Sequence, residues 1–199
     1  MIAIGIDPSL TSTGLAVWDG ERWHTAAFPS KIVPHATLLQ QHDRVDAIHS
    51  RVRDRLFEWA LDSMPNMWAR GVQVIVATEE LPKTGMQGRS LDRFAHLWRL
   101  LDTVRTVVGV DVAFEVNPSS LKLISTGYGK AGKGDMLDMA EGLYGVRCNT
   151  DDEADAVHIA AVAAAAAGTP VPGWVGDATP DRAKSFAKVK AAYDAATAG

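Results

Sequence analysis

The sequence predicts a mixed α/β domain, a five-stranded sheet flanked by helices, with an extra helix at its C-terminal end. Three observations predict it. Short strand-like runs recur at 2–7, 13–18, 21–28, 72–79 and 111–116, with apolar alternation at a period of two in 2–7 and 72–79. Longer stretches with apolar residues every three or four positions lie between and after the later runs. Proline and glycine punctuate the joins.

At the start Ile2, Ile4 and Ile6 share one strand face, and Ala3, Gly5 and Asp7 share the other. Pro8-Ser9 ends that strand. Thr13–Trp18 reads as the next, Asp19-Gly20 as a hairpin turn, and Glu21–Phe28 as the third strand of an antiparallel meander. Residues 36–63 carry Leu38, Val45, Ile48, Val52, Leu56 and Trp59 at helical spacing. In the following strand Val72, Val74, Val76 and Thr78 face one way, and Gln73, Ile75, Ala77 and Glu79 the other. Ser90 is placed to cap a helix running to about 108, striped by Leu91, Phe94, Leu97, Leu101 and Val104. A short strand over 111–116 is followed by helices over roughly 118–125 and 134–144, then 152–167 capped by Asp151 or Thr150. The order β-β-β-α-β-α-β-α is that of the ribonuclease-H type. Residues 1–168 are expected to form that domain, and 169–199 a linker and a terminal helix opening at Thr179-Pro180-Asp181, with Phe186, Val189 and Tyr193 spaced to dock it.

Composition narrows the function classes. The 199 residues are 47% apolar and 22% charged, ordinary for a globular protein, and no run is long and apolar enough to span a bilayer. No signal peptide is readable at the N-terminus, and the single Cys148 is at odds with a disulfide framework; both point to the cytoplasm. The net charge of −4 is low for a general nucleic-acid binder. Positive charge is nevertheless patched: Lys122, Lys130 and Lys133 occupy 117–134 with no acid among them, and Lys83, Arg89, Arg93, Arg99 and Arg105 outnumber Asp92 and Asp102.

The chemistry sits on four separated carboxylates. Asp7 and Glu79 end strands whose C-terminal ends would face one crevice, and Asp152 and Asp155 share a helix face. Taken singly, each has an ordinary reading as a turn cap or a first-turn charge against the helix dipole. Taken together, they form an all-oxygen donor set suited to Mg²⁺ or Mn²⁺. Two carboxylates about 4 Å apart repel by roughly 4 kcal/mol at an effective dielectric near 20, so a cluster of four calls for cations. Glu80 competes with Glu79, and strand parity favours Glu79. His158, one turn beyond Asp155, reads as a packed core histidine more readily than as a ligand or proton shuttle.

GYGKAGKG matches G-x₄-G-K through Gly127, Gly132 and Lys133, but Gly134 stands where a P-loop needs Ser or Thr. The segment reads instead as a mobile basic turn for DNA phosphates, with no nucleotide cofactor. KTGMQGR follows Glu79, so Lys83 and Arg89 are candidates to grip a DNA backbone, with Met86 a weaker candidate wedge.

With these residues in view, the chain resembles the RuvC-type Holliday junction resolvases over about residues 1–167. IGIDPSLTSTGLAV is similar to that family's opening strand and turn, VATEEL to its second acidic motif, and DEADAVHIA to its closing D-x-x-D-A motif. NPSSLKLISTGYGKAGK resembles the segment whose lysines face DNA. The resemblance implies two Mg²⁺ ions (or Mn²⁺) held by Asp7, Glu79, Asp152 and Asp155, and Lys133 stabilising phosphate charge. It also implies Lys122 beside the DNA, and a homodimer through the helix from Ser90 to about Val108 acting on four-way junctions. Leu81-Pro82 replaces an aromatic of the bacterial members. With the acidic net charge and the extra helix, that suggests a divergent member of the kind phages encode. Two alternatives stand beside it: a nuclease of the same fold acting on flaps, forks or RNA–DNA hybrids, and a non-catalytic DNA-binding module. An actin-like ATPase, which shares the I-G-I-D opening, needs a second lobe that 199 residues cannot supply.

Overall fold

The computed structural model describes residues 1–63, 71–81 and 89–198. Three strands, β1 (Ile2–Asp7), β2 (Ser12–Trp18) and β3 (Trp23–Pro29), form the expected meander. Then come α1 (Leu38–Ser63), β4 (Val74–Glu79), α2 (Arg89–Val108) and β5 (Val112–Val116). Four helices close the chain: α3 (Pro118–Thr126), α4 (Lys133–Tyr144), α5 (Asp151–Ala166) and α6 (Pro180–Thr197). The sheet order is β3-β2-β1-β4-β5, with β4 parallel to both β1 and β5 and the meander antiparallel.

Strand parity sorts the core into two layers. Ile2, Ile4, Ile6, Leu15, Val17, Val74 and Val76 pack under α1 and α2, against Ile48, Val52, Leu56, Leu100 and Val104. Ala3, Ile75, Ala77, Phe114 and Val116 point the other way, to α3, α4, α5 and α6. Helix α5 is buried on nearly every side, and its alanines allow a close approach to the sheet. A Cβ on Gly5 would stand 2.0 Å from the Ala156 carbonyl oxygen, so only glycine lets α5 lie where it does.

Boundaries differ from expectation in ways that have physical causes. Of the two caps the sequence offered for α5, Thr150 is the one used, its side chain accepting from the Glu153 N–H. Asp151 is then in the first turn, where its charge opposes the helix dipole favourably. Leu38 is 85% exposed, and the buried stripe of α1 begins only at Ile48. Along α2 the buried face runs Leu97, Leu100, Val104, Val107 and Val108; Phe94 and Leu101 are half-buried. Adjacent leucines at 100 and 101 left that phase ambiguous by one residue, and tertiary packing selected Leu100. Ser90 lies inside α2 rather than at its cap.

The terminal helix docks as its apolar spacing suggested. Val189 and Tyr193 are buried in the same core as Phe114, and the Tyr193 ring meets Phe114 edge-on at 5.7 Å. Phe186 packs on Trp174 from the preceding segment. No described helix is long and apolar enough to cross a membrane.

Candidate active site

Asp7 is the last residue of β1 and opposes Gly14 of β2. On its other side β1 runs parallel to β4 with Ile6 opposite Thr78, so Glu79, the next residue, ends β4 beside it. Both side chains share the parity of Ala3 and Ala77 and therefore project toward α5. From above, the first turns of α5 bring Asp152 and Asp155. A Cβ on Gly14 would be 1.9 Å from the Asp152 carbonyl oxygen, so this helix end is set directly on β2 beside Asp7.

Electrostatics report the convergence. Burial, then the charges of Glu79, Asp155 and Asp152 and a hydrogen bond with Asp152, push the Asp7 carboxyl from 3.8 to about 8. Burial and Glu79 likewise push Asp155 to about 7, with Asp151 and Asp152 adding to the effect and Lys122 opposing it. Glu79 is also raised by burial, while Arg93 and Lys122 hold it down. Carboxylates from three places in the chain, Asp7 of β1, Glu79 of β4 and the pair Asp152 and Asp155 of α5, thus act on one another. Glu80 faces elsewhere: its carboxylate accepts from the Asn117 side-chain amide, and its N–H donates to the Val116 carbonyl.

The donor set suits a hard divalent cation, being entirely carboxylate oxygen. Oδ1 of Asp155 is buried with no hydrogen-bond partner, an arrangement that a cation would relieve. Among the described residues, no three His, Cys, Asp or Glu side chains are gathered tightly enough to chelate an ion as they stand. Mutual repulsion keeps uncompensated carboxyls apart or protonated. The residues therefore fit such a metal in chemistry and direction.

Basic groups border the cluster. Lys122 on α3 is half-buried and acts on both Glu79 and Asp155. Lys133, at the start of α4, is paired with Asp151 and further held charged by Asp152 and Asp155. Lys130 is exposed on the intervening turn. That turn has defined ends: Gly127 takes the left-handed conformation closing α3, and the Asp135 carboxylate accepts from the Gly132 N–H at the start of α4. Arg93 on α2, beside Glu79, was visible in the sequence only as one of several basic residues in 83–105. Lys83 and Met86 lie outside the described residues, and Arg89 enters only as the first residue of α2.

His158 is fully buried, and its Nε2–H donates to the Met136 carbonyl at 2.9 Å, joining α5 to α4. Burial drives its basicity down to about 4, so it packs as a neutral ring. Cys148 is also inert, its thiol pushed up to about 12 by burial and by Glu153 and Glu141.

No family model and no curated sequence matches the chain. Solved structures do. RuvC of Thermus thermophilus superposes with a TM-score of 0.52 at 22% identity, covering 86% of this chain and 99% of that one. The same protein in complex with a Holliday junction substrate gives a TM-score of 0.55 over the same shares. The chain has the RuvC fold. The ribonuclease-H-type architecture expected from the strand order is thus observed, and in this chain the four acids stand at the ends of β1 and β4 and the start of α5.

Proposed function

We propose that the chain is a metal-dependent endonuclease that cuts branched DNA, with four-way junctions as its main substrate. The observation that carries this reading is the mutual influence of Asp7, Glu79, Asp152 and Asp155 at one end of the sheet. The RuvC fold, seen in a relative bound to a Holliday junction substrate, supports the choice of substrate.

Asp7, Glu79, Asp152 and Asp155 would hold two Mg²⁺ ions, with Mn²⁺ as substitute. When bound, such ions activate water and stabilise the leaving oxygen of a phosphodiester. The protein's own groups do the rest. The strand ends and the α5 backbone set where the carboxylates stand before substrate arrives, so that their side chains alone would have to close on the ions. Lys122 and Lys133 supply positive charge for a phosphate next to those oxygens, the exposed Lys133 by exchanging its Asp151 partner for DNA. Arg93 lies where it can keep Glu79 ionised and meet the same strand. Lys130, exposed on the turn between α3 and α4, adds positive charge for the backbone, and Lys83 and Arg89 are proposed as DNA contacts from the sequence alone. Two copies related by a two-fold axis would match the symmetry of a four-way junction. Trp98, 69% exposed on α2 beside Phe94, gives that helix an apolar surface for pairing.

The test is to incubate purified protein with a four-way junction, a flap, a duplex and an RNA–DNA hybrid, with Mg²⁺ or Mn²⁺. Paired symmetric nicks confined to the junction are expected. Equal cutting of all branched forms would reassign the substrate to branched DNA in general. Binding without cutting under every condition would leave a DNA-binding module.

A further inference from the structure

Three buried polar side chains form a chain on the face of the sheet opposite the carboxylates. His49 of α1, His96 of α2 and Thr13 of β2 are 4%, 1% and 0% exposed. His49 Nε2 lies 3.2 Å from His96 Nδ1, and His96 Nε2 lies 3.0 Å from Thr13 Oγ1. Thr13 Oγ1 in turn donates to the Ser9 carbonyl at 2.9 Å. The proton inventory fixes the direction of every link. Thr13 has one hydroxyl proton, and Ser9 O can only accept, so Thr13 Oγ1 accepts from His96 Nε2–H. His96 Nδ1 is then bare and accepts from His49 Nε2–H. That leaves His49 Nδ1 as a lone pair, the one atom of these three side chains that is buried without a partner. An unpaired lone pair there costs less than an unpaired N–H, so the assignment is self-consistent. Both rings are neutral, kept so by burial, with Arg99 acting on His49 and His49 on His96.

The chain ends on the turn that leaves Asp7. The Ser9 N–H donates to the Asp7 carbonyl at 3.0 Å, and the Arg44 guanidinium of α1 donates to the Leu10 carbonyl at 3.0 Å. Most of the core between α1, α2 and the sheet is aliphatic and aromatic, Thr78 being a further buried polar side chain on that face, so two histidines and a threonine there carry desolvation that an apolar trio would avoid. What they supply is a fixed direction. We propose that His96 and Thr13 are positioning residues for Asp7: the buried relay His49–His96–Thr13 holds the Ser9 carbonyl, and with it the turn that aims the Asp7 carboxylate. The role rests on the nuclease reading above. It ties the placement of α2, which also carries Arg93, to that of Asp7.

The experiment uses the full chain with Thr13→Val, His96→Leu, the double variant, and His96→Gln, whose amide nitrogen can replace Nε2–H. Single-turnover cutting of a four-way junction with Mg²⁺ and DNA affinity are read together. Thr13→Val and His96→Leu are each expected to slow cutting by about tenfold or more, since small misplacements of a reacting group are costly. Affinity for the junction should stay within about twofold, the double variant should be no slower than the slower single one, and His96→Gln should recover most of the rate. Folded variants with unchanged rates, additive losses, or losses in affinity alone would each overturn the role. Nitrogen-15 shifts of the two rings and hydrogen exchange at the Ser9 amide provide a readout independent of cutting. Two Nε2–H tautomers, and faster Ser9 exchange in both single variants, are expected. If the wild type cuts no DNA the nuclease reading fails, and unchanged Ser9 exchange would then sink the relay on its own.

Discussion

The α-carbon of Gly14 lies against the backbone carbonyl of Asp152, and Gly14 is the residue paired with Asp7 across β1 and β2. One strand position therefore sets the distance between the two halves of the carboxylate cluster. Gly14→Ala would put a methyl group 1.9 Å from that oxygen, and α5 would have to move away. A loss of about 1–3 kcal/mol in urea unfolding is expected, as for other overpacked contacts. Calorimetry should show weaker Mg²⁺ binding as well. Unchanged stability and unchanged binding would mean that the helix is not seated as described.

Asp7→Asn removes the most strongly displaced acid. Its carboxyl, pushed from 3.8 to about 8, opposes folding at neutral pH because the unfolded chain ionises freely. At about 1.4 kcal/mol per unit, the metal-free variant should be more stable by on the order of 2–4 kcal/mol at pH 7, while losing all cutting. Thermal melts in EDTA check this; a clearly lower melting temperature would contradict the clustering.

The pH dependence of the metal-free protein follows with a definite sign. Above about pH 4 the unfolded state has released the protons of Asp7 and Asp155, while the folded state holds that of Asp155 up to about pH 7 and that of Asp7 up to about pH 8. The folded state then binds more protons, so stability falls as pH rises through that window. Urea midpoints in EDTA should drop from pH 5 to pH 8, and Mg²⁺ should restore the loss most at the alkaline end. A midpoint that rises over this range without metal would be the opposite result.

Lys122 and Lys130 should separate by assay. Lys122 lowers the proton affinity of Glu79 and Asp155, so Lys122→Met should move the acidic limb of the cutting rate toward higher pH. Lys130 is exposed, and Lys130→Ala should weaken junction binding about two- to fivefold at low salt. It should also reduce the slope of affinity against salt concentration by about one, with the pH profile unmoved.

The sheet was legible because its signals are local. Alternation in IAIGID and VQVIVATE assigned faces, and the same parity chose Glu79 over Glu80. Helix α5 was readable from the break between DDEADA and the alanine run. What was hidden depends on distant neighbours. Nothing near His49 or His96 in sequence announces that the two rings meet, at 5.0 Å between centroids, because they are 47 residues apart on different helices. Arg93 could be counted as basic, but its approach to Glu79 follows from the docking of α2. The need for glycine at position 14 is set by a helix almost 140 positions later, so it had no local signature.

The carboxylate cluster draws on residue 7 at one end and on residues 152 and 155 near the other. It cannot exist on a partly synthesised chain, or on any fragment lacking either end of the fold. On the proposed nuclease reading, any action of these groups on DNA is withheld until translation has passed α5, and an incomplete product would carry no cutting activity.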